Sequence, residues 1–454
     1  MAISSRKALL LAVSCFAFRF FGIGSPLMAQ NCDCGPLSQS PQLTPTIYAA
    51  LKGPQSDVAV DCFMWQTFIY LNWPALPGSP GQPDPKGQFG GSAPVVWETF
   101  KSYDQVFLPG GGAPPPWGNQ ATSKALPAAL QAKVAKGNVR FLKQTSKVST
   151  DLPKSVVQKL SSDTQVGGGM LVDQAGQTVF YEMLMNQDEF NYITDPQLKL
   201  YNADQQYAVA KSQYINLPSG QTQYGSTGAI EVKAAWKVLT SSEINAKPCR
   251  FHTAQAVVSG GSAVITVGLV GLHVMQRPAG FYQGFWATFQ QVDNCPVFGG
   301  SSSGSYSFNN PNCTTCQVNT QTTPPVPTQV QQEVVVPTDV ASINRCAQQA
   351  IQKANPNSPW QFYQLVNVQW PNSPVKTQQN GQQVPLATGS PNLTKLMNPV
   401  LETFLQSKSL SCLGCHQNAS AAPSAANANP SFATSYSFLF GHAGPSPSSA
   451  AQKN

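Results

Sequence analysis

Residues 263–276 read Ala-Val-Ile-Thr-Val-Gly-Leu-Val-Gly-Leu-His-Val-Met-Gln. Both alternating faces of this run are apolar and no formal charge interrupts it. A strand of that kind is covered on both sides, so it belongs in the middle of a sheet. Period-two alternation puts His273 on the same face as Met275. Gly260-Gly261 marks a hairpin before it. Working outward, 229–239, 252–258 and 285–292 are further β-rich runs punctuated by Gly or Pro. The pattern predicts an antiparallel meander.

Helices and loops flank this meander. Ser56 or Asp57 N-caps a predicted helix ending near Trp73, with Cys62, Trp65, Phe68 and Ile69 close to helical spacing and Pro74 beyond. A helix is predicted over 124–136, a hairpin over 170–173 and 178–185, and a polar helix over 196–212 opened by Pro196. Gly167-Gly168-Gly169 is followed by no GKS or GKT, so it is a turn rather than a phosphate loop. Residues 299–337 are rich in Gly, Ser, Thr, Gln and Pro and read as a linker or long loop. Beyond it, helices are predicted over 338–354 and 398–408, with an aromatic strand-like run over 360–370. The expected fold is α+β: a β-rich N-terminal domain over 30–298, the linker over 299–337, and a mainly helical C-terminal module over 338–454.

The C-terminal module carries the chain's strongest chemical motif, Cys412-Leu413-Gly414-Cys415-His416. C-x-x-C-H is the attachment sequence of a c-type haem. Two thiols three residues apart each bond one vinyl group of the porphyrin, and the adjacent imidazole ligates the iron from the proximal side. With 11 Cys and 4 His in 454 residues, roughly 0.002 accidental matches are expected. The predicted cofactor is one covalent haem c on Cys412 and Cys415, with His416 on the metal. Cys313-Thr-Thr-Cys316 is followed by Gln317, so it is no second haem sequence; it reads as a structural disulfide pair.

Arg6 and Lys7 precede an apolar run, and a small-residue region ends at Ala29. This is the pattern of a cleaved secretory signal over 1–29, leaving no transmembrane anchor. Cleavage removes Arg6, Lys7 and Arg19 and no acid, taking the formal charge from +7 to +4. No basic cluster appears, which argues against nucleic-acid binding. Charged residues make up 10% of the chain, against roughly 25% in ordinary soluble domains. Export to the periplasm or the cell surface of a bacterium is expected. Outside the signal and the haem motif remain Cys32, Cys34, Cys62, Cys249, Cys295, Cys313, Cys316 and Cys346, which allow up to four disulfides in an oxidising compartment. A Cys249–Cys295 bond would bracket the meander.

Several strings carry a resemblance. They are Trp360–Pro371, Asn398 before Glu402-Thr403-Phe404, CLGCH, Ser437-Phe438-Leu439, and upstream 231–239, 267–273, 285–289 and Val292-Asp293-Asn294. Together they resemble a family of exported bacterial mono-haem "cytochrome c family" proteins with a C-terminal CxxCH and a large N-terminal region of undefined function. The resemblance implies haem and export but no substrate. Small soluble cytochromes c differ: their haem sequence lies near the N-terminus and a ligand Met lies downstream, whereas no Met follows Met397 here.

The iron's other face is open to several candidates. His273 sits in the apolar strand, where a buried imidazole needs a partner. His442 lies 26 residues beyond His416. His252, Met275 and Met397 are weaker candidates, and the position can also stay open. A six-coordinate iron suits electron transfer with a redox partner protein; an open one suits peroxidase or oxidase chemistry. No Ser-His-Asp arrangement, HExxH or Walker sequence is present, so no catalytic side chain is assigned. The third alternative is a non-haem exported structural or binding protein.

Overall fold

Helix α1 (Asp57–Leu71) starts where Ser56 Oγ accepts the amide of Ala59 at 3.3 Å, with Asp57 complementing the first-turn dipole. It is buried nearly all round, from Ala59 to Leu71, which makes it a core element rather than an amphipathic surface helix. The computed structural model describes residues 34, 40–53, 55–91, 94–119, 128–135, 139–143, 170–258, 261–299, 304–371, 376–379, 382–385, 391–407, 410–428 and 432–447. The expected signal 1–29, Cys32 and the glycine run 167–169 lie outside them.

After α1 come β1 (Lys101–Ser102), α2 (Tyr103–Val106), α3 (Ala128–Ala135), β2 (Arg140–Leu142), β3 (Phe180–Met185), α4 (Gln187–Ile193), α5 (Ala203–Ala210), β4 (Ile230–Val238), α6 (Ser241–Asn245), β5 (Thr253–Val258), β6 (Ile265–Gln276) and β7 (Phe285–Gln291). Then follow α7 (Thr338–Ala354), β8 (Tyr363–Gln369), the hairpin β9 (Lys376–Gln379) and β10 (Gln382–Pro385), and α8 (Cys412–His416). The fold is α+β. The four strands expected as a meander form where their sequence predicts them, but not in meander order: β4 pairs with β6, and β5 lies on the other side of β6.

The sheet runs β1-β3-β4-β6-β5-β2, with β7 also beside β6 and β8 beside β7. Strand β4 pairs with β6 from Val267 to Gln276. Strands β5 and β7 therefore share the other edge of β6, β5 along Ile265–Gly268 and β7 along Gly271–Gln276. β2 runs parallel to β5, and a bridge from Lys143 to Tyr181 brings its end back to β3. The strands β3-β4-β6-β5-β2 thus curl round on themselves.

Alternation along β6 separates two environments. Leu272 and Val274 join Val232, Leu184, Ala287 and Val368 in the core packed by Phe63, Trp65 and Phe68 of α1. Met275, with Trp286 and Met185 of neighbouring strands, faces a second cluster containing Leu413, Leu439 and Phe440. The segments that carry Val400, Leu413, Leu439 and Phe440 therefore lie on the opposite face of the sheet from α1, whereas α7 packs with α1. They approach closely: a Cβ on Gly271 would meet Val400 Cγ2 at 2.6 Å.

Several expectations are corrected. The 299–337 segment separates no two cores, since residues Cys32–Asn454 form one compact unit. Phe308 and Val330 pack with Val270 and Val400, and Val297 bridges to Gln332. The C-terminal stretch is not mainly helical. Among its described residues α7 is the one long helix, and β8 completes the N-terminal sheet. The helix predicted over 398–408 shrinks to a 3-10 turn at Thr403–Leu405; Asn398 still caps the first turn, its Oδ1 accepting the Val400 amide at 2.9 Å, while its side-chain amide donates to Thr288 Oγ1 and the Phe289 carbonyl of β7. The helix predicted from Pro196 starts at Ala203: Lys199 is left-handed at φ 47°, and Asn202 Oδ1 caps the amides of Asp204 and Gln205. Cys34–Cys62 and Cys313–Cys316 are disulfides, and Cys346 is disulfide-bonded. Cys249 and Cys295 are not bonded; the Cys249 thiol donates to the Phe251 carbonyl and Cys295 is buried.

Candidate cofactor site at the Cys412–His416 helix

Helix α8 is one and a half turns long and is held from outside. Ser411 Oγ caps it by accepting the Gly414 amide at 3.2 Å. The Leu413 amide donates to Gln369 Oε1 at 2.7 Å, and Gln369 is fully buried at the end of β8. Leu413 itself is 1% exposed within the second core cluster. An anchored Leu413 turns Cys412 and Cys415, three residues apart, along the side of the helix that stays half-exposed. Neither cysteine is in a disulfide.

His416 occupies the last turn. Its Nδ1 lies 2.7 Å from the Tyr436 carbonyl. A carbonyl only accepts, so Nδ1 carries the proton and the neutral ring keeps its lone pair on Nε2. Trp286 and Phe438 flank the ring, with centroids 4.3 and 4.8 Å away.

A cleft of about 600 Å³, open solvent at its mouth included, lies between this segment and the sheet. Cys412, His416, Phe438 and Leu439 form one wall; Met183, Glu231, Lys233, His273, Met275 and Trp286 are among the sheet residues of the other. The sheet register explains that set: Lys233 stands opposite both Met183 and His273, and Met275 opposite both Glu231 and Trp286.

His273 is thus brought to the cleft that His416 lines. Its Nε2 lies 3.2 Å from Glu402 Oε2. Glu402 in turn accepts the Asn398 amide at 3.0 Å, so the turn at 398–402 orients the imidazole on the strand. The buried Tyr181 hydroxyl is pushed well above its ordinary range by burial and by the Glu402 charge. His442 lies elsewhere, with its ring stacked on Tyr103 at 4.2 Å and outside the cleft lining. His252 is remote from the cleft: it bonds Glu98 at 3.0 Å and stacks on Trp360. Met397 is buried away from the cleft, whereas Met275 lines it.

Met183, Glu231, Lys233, Trp286 and Tyr436 escaped the sequence expectations. The alternation of Glu231 and Lys233 inside an apolar strand was the available signal, because charges on a covered face mark a site or a partner. Glu231 lies against the buried Glu189. Burial pushes both carboxyls up, Glu231 to about 7, while a bond from Ser437 partly offsets the shift at Glu231. No residue sequence pattern marks Tyr436, whose role is played by its backbone.

Comparison with protein-family models, with curated proteins and with solved structures finds no match for this chain. The donor set can still be tested for fit to a covalently held haem. Two thiols one helical turn apart, an imidazole with its lone pair on Nε2, and a largely apolar cleft lined by Cys412 and His416 though not by Cys415 match what that group requires.

Proposed function

We propose that this chain is an exported mono-haem c-type cytochrome of the bacterial periplasm or cell surface, passing electrons to and from a redox partner protein. The observation that carries the reading is the convergence of Cys412, His416 and His273 on one cleft. Cys412 and Cys415 would hold the porphyrin edge, and His416 Nε2 would hold the iron. When bound, the haem supplies a one-electron iron couple. The chain's own residues do the rest: Trp286, Phe438 and Leu439 exclude water, and the Tyr436 carbonyl fixes the His416 tautomer. On the sheet side, Glu402 orients His273 as the candidate second ligand. Because Nε2 is the atom beside Glu402, His273 would hold the iron through Nδ1, or through Nε2 only with Glu402 turned away.

A second reading has one observation in its favour. A carboxylate-oriented imidazole in a cleft is also an acid–base group, which would suit peroxidase or oxidase chemistry at an open iron. Expression in a host with haem-attachment machinery tests the first step. The protein should gain one haem mass and keep it after denaturation, and the Cys412→Ser, Cys415→Ser double variant should not. Absence of haem from the wild type would sink the proposal. Carbon monoxide then separates the two readings: the ferrous carrier binds it slowly, whereas rapid binding favours the enzyme.

A further inference from the structure

We infer that Ser435 and Arg277 are positioning residues for His416: together they hold the Tyr436 carbonyl against Nδ1 and so set how strongly the imidazole donates to iron. The inference rests on the haem reading above and names what tunes that site.

Ser435 and Tyr436 are consecutive and both left-handed, at φ 56° and 69°. Neither is glycine, so each carries a Cβ in a region that L-residues avoid. Such a pair persists only where its surroundings over-determine it. The surroundings here are specific. Ser435 Oγ accepts from Arg277 Nη1 at 2.7 Å, and Tyr214 also reaches Ser435. Arg277 is 1% exposed at the end of β6 and is itself held by the Leu217 carbonyl and by Asn216 Oδ1. On the other side, Thr434 and Ser437 close the turn: the Ser437 amide donates to the Thr434 carbonyl at 3.0 Å, and Thr434 Oγ1 donates to the Ser437 carbonyl at 2.9 Å. The Ser437 side chain bonds Glu231 on β4. The turn is pinned to the sheet at Ser435 and Ser437, and the residue between them presents its carbonyl to His416.

A carbonyl that accepts Nδ1–H draws the proton away from the ring and makes Nε2 the stronger donor. A stronger donor stabilises the oxidised, more positive iron and lowers its potential. Ser435→Ala removes the acceptor for Arg277 while leaving a Cβ at positive φ, so the turn relaxes and the carbonyl withdraws from Nδ1. Ser435→Gly removes the same anchor without the steric penalty.

The test uses the full-length holoprotein. Mass after denaturation first establishes covalent haem, and midpoint potential and the iron–imidazole stretching band are then compared. Both Ser435 variants should shift the potential upward by about the equivalent of a tenfold change in relative affinity for the two oxidation states, about 59 mV for one electron, and should weaken the band. Asn216→Ala removes another contact of the same guanidinium while the Leu217 carbonyl and Ser435 still hold it, and should move both readouts less than either Ser435 variant does. Wild-type protein without haem would remove the reading beneath. Retained haem with unmoved potential and band in both Ser435 variants would overturn this inference alone, as would an equal shift in Asn216→Ala. Should Ser435→Ala fail to fold, Ser435→Gly still decides the matter.

Discussion

Glu189 and Glu231 show how single residues acquire properties that their own chemistry does not supply. Each would ionise near 4.5 in an open chain. Burial raises both, and the charge of Glu231 raises Glu189 further, against the counter-pull of Arg277. The folded state therefore holds their protons more tightly than the unfolded one. Stability that is fully present below pH 4.5 is lost as pH rises through about 7, where Glu231 ionises. The loss from Glu231 is on the order of 3 kcal/mol. The melting temperature of the wild type should fall between pH 5 and pH 8 by more than that of Glu231→Gln; parallel declines would show that the pair carries no such linkage. At this scale Cys412, Cys415 and His416 were legible as a candidate set because the motif that marks them is contiguous in sequence. His273 was legible as a candidate through strand alternation alone. The pairing of two glutamates from β4 and α4 was not, since nothing local to either residue places the other beside it.

Elements in this protein are joined by side chains that serve several at once. Asn344 of α7 donates from Nδ2 to the Leu365 carbonyl at 2.8 Å. Its Oδ1 accepts from the Leu365 amide at 3.0 Å and from Trp65 Nε1 of α1 at 2.9 Å. One amide thus ties α7 to β8 and α1 in a site that is 4% exposed. Asn344→Ala leaves those buried backbone and indole groups without partners, at a cost of about 3 kcal/mol. The check is urea unfolding, where the midpoint should drop with the slope unchanged; a midpoint within error of wild type would show that water satisfies these groups. The helical stripe Val340, Ile343, Ala347 and Ile351 is plain in the sequence. Asn344, between those apolar positions, reads there as an ordinary polar residue, and only the packing of three elements reveals its use. Asn398 serves both levels: its Oδ1 caps the Val400 amide as its type suggests, a local preference that contributes about 1 kcal/mol, while its Nδ2 ties the turn to β7, a link the local sequence does not show.

On the scale of the whole molecule, the two cross-links of known pairing act over very different spans. Cys34–Cys62 closes a separation of 28 residues and fastens Cys34 to α1, whereas Cys313–Cys316 closes 3. Chain entropy then predicts a cost of about 3–4 kcal/mol for replacing the first pair by Ala and about half that for the second. Thermal unfolding of the two double variants checks the order, and a larger loss from the Cys313/Cys316 variant would contradict it. The same scale explains why the expected division into domains dissolved. A Pro-, Gly- and Ser-rich segment resembles a linker by composition. Composition is silent on pairing, and 299–337 is anchored through Phe308, Val330 and the Val297–Gln332 bridge.

The sequence by itself determined the strands β4 to β7, the core helix α1, the amphipathic helix α7 and the three-residue spacing of Cys412 and Cys415 beside His416, because each rests on periodicity, capping or spacing within a few residues. Tertiary structure decided which face of the sheet the CLGCH helix would cover, that His273 rather than His442 would line the cleft with His416, and that the carbonyl of a left-handed residue would meet the His416 imidazole. Those outcomes depend on the curl of the sheet and on contacts between residues more than a hundred positions apart, and no local pattern carries that information.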